Sequence, residues 1–360
     1  MSNQFREPAM RLLLRCAAAL CAAFLITPGP ARSQPQLALP EASPKGFLTQ
    51  TIGIAEVQVS YHRPGVKGRP VWGGLVPYGE VWRAGANENT TISFSHPVRV
   101  AGKPLEPGTY GLHMIPGKGD WTVIFSRNAT SWGSYFYKES EDALRITVTP
   151  QAAPPVEWLQ YEFSGLTDSS ALFSLRWEKI NVPIPLSFDT RGLILANIHD
   201  SYLRGAAGFG WQGFNTAALF CVRNNVNLPE ALTWADRSIE LNENFSNLQT
   251  KASVLEKLGR KEDAAALRDR SLEIASETDL NQLGYTFLQE GKTKEAIEVF
   301  QRNARAHPSS WNVYDSLAEG LEKSGDMKGA IDNYEKALSL VKDVVNRERI
   351  TYTIQKLKAQ

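Results

Sequence analysis

The chain has 360 residues, 42% hydrophobic and 21% charged, enough apolar material for about two globular domains beyond any targeting segment. Its formal net charge is +1, and no run is strongly basic, which argues against nucleic acid as a partner.

The N-terminus predicts an export signal over residues 1–33. Arg6, Arg11 and Arg15 give a positive start, and Leu12 to Ile26 is apolar except for Arg15. Pro28, Gly29 and Pro30 end the run, and Ala31-Arg32-Ser33 offers small residues for cleavage near Ser33. The stretch from Cys16 to Ile26 is too short to span a bilayer. The expected location is the periplasm or outside the cell, with no membrane span after cleavage; a retained anchor is the alternative. Cys221 is then the one cysteine left, set in an apolar helical stretch, and is read as a buried inert thiol.

Residues 34–45, rich in Pro, Ala and Ser, read as a linker. Strand signals fill 46–188. Val57, Val59 and Tyr61 alternate along one face, and Thr91 to Phe94 alternates likewise. Tyr110 to Ile115 and Trp121 to Phe125 flank Pro116-Gly117-Lys118-Gly119-Asp120 as a hairpin. Segments 144–148, 158–163, 171–177 and 180–184 follow. Eight or nine short strands of this kind predict an antiparallel β-sandwich. Residues 189–210 read as a linker helix, from Arg191 to Leu203, and a Gly-rich break. From residue 211 to 360 the period is helical. The predicted fold class is α+β multidomain, a sandwich followed by an α-solenoid.

The helical part repeats. Leu283, Gly284, Phe287, Ala296 and Phe300 correspond, 34 residues on, to Leu317, Ala318, Leu321, Ala330 and Tyr334. Gly291 and Gly325 fall where the first helix of each pair must end. Small residues at Gly284/Ala318 and Ala296/Ala330 let helices approach, and larger ones fill the seam. This pattern resembles the tetratricopeptide repeat. A third unit lies upstream at an offset of 32, with Leu248, Ala252, Leu255, Gly259 and Ala264. Ala217/Ala218 and Ala231/Trp234/Ala235 mark a degenerate unit before it, and Val344 to Leu357 reads as a capping helix. The resemblance implies binding of a protein or peptide partner; the plainer reading is a helical extension that steadies the front domain. No clamp of Lys and Arg names a peptide class.

Between the first two strands predicted in the front domain lies a long loop, 61–88, with Arg63, Lys67, Arg69, Tyr78, Glu80, Trp82, Arg83 and Asn87. These, with His113, are the candidate ligand-binding residues, because Arg and aromatic groups together hold a carboxylate, a phosphate or a sugar face. The competing reading pairs Arg63 and Arg83 with Glu80 and Glu88, packed on Trp72 and Trp82. A meeting of His62, His113 and Glu80 in a hydrolytic site is a further alternative. No two histidines have metal-ligand spacing, and no nucleophile elbow, dinucleotide fingerprint or P-loop is present, so no catalytic residue, metal or cofactor is assigned. Glu139 to Asp142 is an acidic turn, read as solvated rather than as a calcium loop.

The runs from Val59 to Arg69 and from Trp72 to Glu88, with Pro107 to His113 and Ser131-Trp132-Gly133, resemble the domain-of-unknown-function family 2911. The resemblance covers about residues 45–185 and implies an exported bacterial protein, without implying an activity. The expectation is an exported, non-enzymatic binding protein. A front domain that binds a carbohydrate or anionic small molecule, with hydrolysis a further step, is the alternative.

Overall fold

The computed structural model describes residues 39–359; the segment read as an export signal, 1–33, lies outside the described residues. Ten β-strands and ten α-helices are present among them. The strands are β1 (Lys45–Ile52), β2 (Ala55–His62), β3 (Thr91–Phe94), β4 (Val98–Val100), β5 (Lys103–Leu105), β6 (Gly108–Ile115), β7 (Trp121–Ser126), β8 (Asp142–Val148), β9 (Gln151–Ser164) and β10 (Ser170–Ser187). All pairings are antiparallel. One sheet runs β1-β2-β3-β6-β7-β8 and the other β5-β4-β10-β9. Their inner faces share one core, in which Val57, Val59, Leu112 and Phe125 of the first sheet join Leu159, Phe173, Leu175 and Trp177 of the second. The sandwich expected from alternation is present.

Strand count and length differ from expectation. β1 carries a weak signal because it is an edge strand whose residues stay largely exposed, Phe47 at 73%. The short pair β4 and β5 is likewise new. Residues 171–177 and 180–184 are not two strands but parts of β10, whose register shifts around Glu178. Glu178 takes φ 54°. Before it Phe173, Leu175 and Trp177 point inward; after it Val182, Ile184 and Leu186 do. The bulge moves the buried side from odd to even positions, which in the sequence imitates a break. β9 absorbs Pro154 and Pro155 because it is the sheet's edge, where a missing N–H leaves no ladder bond unmade.

The helices begin with α1 (Thr190–Asn197), extended by a π turn over Ile198–Tyr202; the Gly-rich stretch behind it is a short 3-10 turn, Ala206–Phe209. Then come α2 (Trp211–Asn224), α3 (Leu228–Leu241), α4 (Phe245–Lys257), α5 (Lys261–Ile274), α6 (Glu277–Gln289), α7 (Thr293–Ala306), α8 (Trp311–Ser324), α9 (Met327–Leu340) and α10 (Val344–Lys358). α2 to α9 form four hairpins and α10 follows as a single helix. Three hairpin turns use a left-handed glycine: Gly259 (φ 83°), Gly291 (φ 76°) and Gly325 (φ 89°). Each faces open space, so backbone conformation rather than crowding demands glycine. The first hairpin instead bends at Asn225 (φ 53°) and Asn227 (φ 48°).

Gly284 serves a different purpose. A Cβ there would lie 2.3 Å from the Phe300 ring, so α6 can cross α7 over that ring only if the side chain is absent. Ala296, Ala318 and Ala330 are fully buried, as is Phe300, and Tyr334 and Leu317 nearly so; Leu283, Phe287 and Leu321 are half-buried. Ile350, Ile354 and Leu357 of α10 close the last core against Tyr334 and Ala337. No helix among the described residues is long and apolar enough to cross a membrane.

Candidate functional site

The loop after β2 is anchored at both sides of the sandwich. Val66 N donates to Glu157 O (2.9 Å) and Leu159 N to Pro64 O (3.0 Å), tying its start to β9. Gly79 N donates to Pro116 O, and Trp82 and Met114 exchange backbone hydrogen bonds of 2.8 Å each, tying its end to β6. Between the anchors Trp72 packs edge-on against Trp82, Trp121 and Trp177, with ring centres 5.8, 4.7 and 5.6 Å away. Trp82 stacks on Trp177. The loop therefore hangs on an aromatic cluster that caps the core.

Four candidates, Arg69, Trp82, Arg83 and Asn87, line one cleft of about 340 Å³, together with Trp132 and Tyr135. The other five lie apart from it. Arg63 Nε donates to Leu159 O (2.9 Å), and Lys67 Nζ stands 5.6 Å over the Trp158 ring. Tyr78 packs over Gly73, and Glu80 is exposed. His113 faces away from the sandwich core, since Leu112 and Met114 on either side of it point inward. Its Nδ1 meets Ser134 Oγ at 2.9 Å and its ring lies 5.4 Å from Tyr137. Burial pushes its pKa down to about 4, and the nearby Arg83 cation adds to this against the opposing pull of Asp142.

The expected pairing of Arg63 and Arg83 with Glu80 and Glu88 does not form. Glu88 pairs with His62 (3.2 Å), as does Glu41 (3.7 Å). Arg83 Nη1 donates to Asn87 O at 2.6 Å, and Arg69 donates to Gly65 O (2.6 Å) and Val66 O (3.1 Å). His62 and His113 have separate partners and Glu80 is exposed, so the three do not form one site. In the acidic turn Arg145 takes both Glu139 and Asp142. Burial raises the Cys221 thiol to about 11, which keeps it protonated.

Trp132 and Tyr135 were not among the sequence candidates. Their signal was the cluster of aromatic residues on both sides of Gly133, in a loop without alternation. A larger cleft, about 570 Å³, lies beside Asp168, Asp189 and Arg191. Its one cation is offset by two carboxylates, so the smaller cleft is the better binding candidate.

The helical array carries a second feature. Asn215, Gln249, Asn281, Asp315 and Arg349 recur at offsets of 34, 32, 34 and 34, the first four being the fifth residue of α2, α4, α6 and α8. Gln249 Nε2 donates to Ser271 of α5 (2.7 Å), whereas the ends of the series bond across first helices. Asn215 Nδ2 donates to Ser246 of α4 (3.2 Å), and Arg349 of α10 donates to Asp315 (2.8 Å). The Oδ1 atoms of Asn215, Asn281 and Asp315 are buried and accept no hydrogen bond. Burial raises the Asp315 carboxyl despite Arg349.

Residues 43–186 match the family model described as "Protein of unknown function (DUF2911)". A TPR repeat-containing protein of Methanocaldococcus jannaschii is 34% identical over 77 residues, which covers 21% of this chain and 14% of that protein. Among solved structures, YrrB, titled a TPR protein with an unusual peptide-binding site, is 18% identical, covering 45% of this chain and 84% of its own, with a TM-score of 0.27. MamA from Desulfovibrio magneticus is 16% identical over 43% of this chain and 97% of its own, with a TM-score of 0.25. Residues 43–186 thus match the DUF2911 model, and the helices behind them form a repeated array of helical hairpins that is similar in sequence, over 77 residues, to a TPR repeat-containing protein.

Proposed function

We propose that the chain is an exported, non-enzymatic adaptor whose array holds an extended segment of a partner protein by its backbone. Tetratricopeptide-type repeats point to protein–protein interaction. The observation that carries the finer reading is the recurrence of unpaired oxygens at one repeat position: Asn215, Asn281 and Asp315. A buried acceptor left without a donor costs about 1–3 kcal/mol, and folded proteins keep few of them without a reason. Here the same cost recurs in three first helices.

Gln249, Asn281 and Asp315 are half-buried, and on docking their side-chain oxygens would turn outward to accept from peptide N–H groups. Packed helices lie about 8–10 Å apart. An extended chain in the polyproline II conformation returns to the same side every third residue, after about 9 Å. One N–H in three then meets each first helix in turn. Such a contact reads backbone and therefore needs no Lys/Arg clamp.

The test is to pan a displayed library of random peptides on the mature chain. Peptides should be enriched, and Asn281→Ala and Asp315→Ala should each weaken them about fivefold, with the unfolding midpoint kept. Enrichment of no peptide, or affinities indifferent to both substitutions, would overturn the reading. Export rests on the N-terminal pattern, and the processed chain is expected to start at or near Gln34.

A further inference from the structure

We infer that the cleft in the front domain binds an anionic saccharide: Arg83 and Arg69 hold its carboxylate or phosphate, and Trp132 and Tyr135 cover its ring. Charge is the first reason. No Asp or Glu lines the cleft, and neither arginine enters an ion pair among the described residues. Among the described residues each donates hydrogen bonds only to main-chain carbonyls: Arg83 to Asn87, Arg69 to Gly65 and Val66. A guanidinium has five N–H groups. Those on Arg83 Nε and Nη2 and on Arg69 Nη1 are left for a ligand. Carbonyls orient the forks without neutralising them, the condition for bidentate capture of an oxyanion.

Rigidity is the second reason. Arg83 opens a turn in which Ala84 (φ 48°) and Asn87 (φ 57°) take left-handed backbone. Ala84 O accepts from Thr90 Oγ1 (3.2 Å) and from the buried Tyr161 hydroxyl (2.7 Å), which fixes the turn to the core. A Cβ on Gly133 would lie 2.6 Å from Arg83 Nη1, so the loop carrying Trp132 and Tyr135 sits directly on the guanidinium. Strained non-glycine residues gathered at one place are characteristic of ligand clamps.

The third reason is the aromatic rim. Trp132 is 53% and Tyr135 77% exposed. Tyr135 lies under Arg83 at 5.7 Å. Neither ring contributes to the sandwich core. Large rings left in water beside a cleft mark a binding surface, and a flat ring next to a cation suits a ligand with an apolar face and an anionic edge. At about 340 Å³ the cleft lies at the small end of small-molecule sites, room for one or two sugar rings.

The experiment follows tryptophan fluorescence of the mature chain during titration with digalacturonate, glucose 6-phosphate and neutral cellobiose. Saturable binding of either anion, with cellobiose at least tenfold weaker, supports the site and tells carboxylate from phosphate. Arg83→Gln, Arg69→Gln and Trp132→Ala should each weaken binding about tenfold. Phe136→Ala, on the same loop and outside the cleft, should not. Should Arg83→Gln fail to fold, the other two variants carry the test. Binding of neither anion, equal binding of cellobiose, or affinities unchanged in the two surface variants would overturn the inference. The outcome is independent of peptide binding by the array.

Discussion

His113 is held neutral by its surroundings. It lies 2% exposed under the loop that carries Ser134 and Tyr137, and burial lowers its pKa from 6.5 to about 4. Between those values the unfolded chain binds a proton that the folded chain excludes. Stability contributed by this residue is therefore complete above pH 6.5 and falls as pH drops towards 4, by an amount on the order of 3 kcal/mol. Denaturant unfolding of the native chain and of His113→Gln at pH 7 and pH 4.5 should show a smaller loss in the variant. Equal losses in the two would sink this account. The histidine's strand could be read from its neighbours, since Leu112 and Met114 alternate with it. Its covering could not, because Ser134 is 21 residues away and reaches it only through the fold of the intervening hairpin.

At the scale of the element, the seam between α6 and α7 decides what Gly284 must be. Alanine in a helix interior is favoured over glycine by about 1 kcal/mol. Here the added methyl would lie 2.3 to 2.7 Å from three atoms of the Phe300 ring, which is fully buried and has nowhere to go. Overpacking of this kind costs about 1–3 kcal/mol, so steric conflict wins. Gly284→Ala should lose about 1–2 kcal/mol in denaturant unfolding followed by helical ellipticity, and a gain in stability would contradict the packing argument. The small residue was legible from the repeat alone, because helix crossing imposes the same demand every 34 residues. β10 shows the opposite case. One bulged residue at Glu178 re-phases the strand, and a period of two cannot reveal a strand that changes phase.

Across the whole molecule the apolar cores are separate. The sandwich core takes in Leu193 of α1 but nothing further along the array, where the helices bury four smaller clusters. Stacked repeats hold one another by nearest-neighbour contacts, while the sandwich closes on itself. Helical ellipticity and tryptophan fluorescence, the latter weighted to Trp72, Trp82, Trp121 and Trp177, should report two unfolding transitions along a denaturant series. A single coincident transition would mean that the two parts unfold as one.

The sequence by itself determined the two architectures and the register of the repeats. Both follow from local periodicity: alternation where one face of a strand is buried, and a recurring small–large pattern where a helix packs on its neighbour. It also placed Arg69, Trp82, Arg83 and Asn87 in a loop too rich in Arg and Trp to be a plain connection. Tertiary structure alone decided which of the nine candidates meet. Arg63, Lys67, Tyr78 and His113 found partners elsewhere, Glu80 stayed exposed, and Trp132 and Tyr135 arrived from a loop more than 40 residues away. It alone also showed that Asn215, Asn281 and Asp315, which share one repeat position, each keep an oxygen without a donor. Spacing is a property of the chain, whereas whether a polar atom is satisfied depends on every group that folding brings near it.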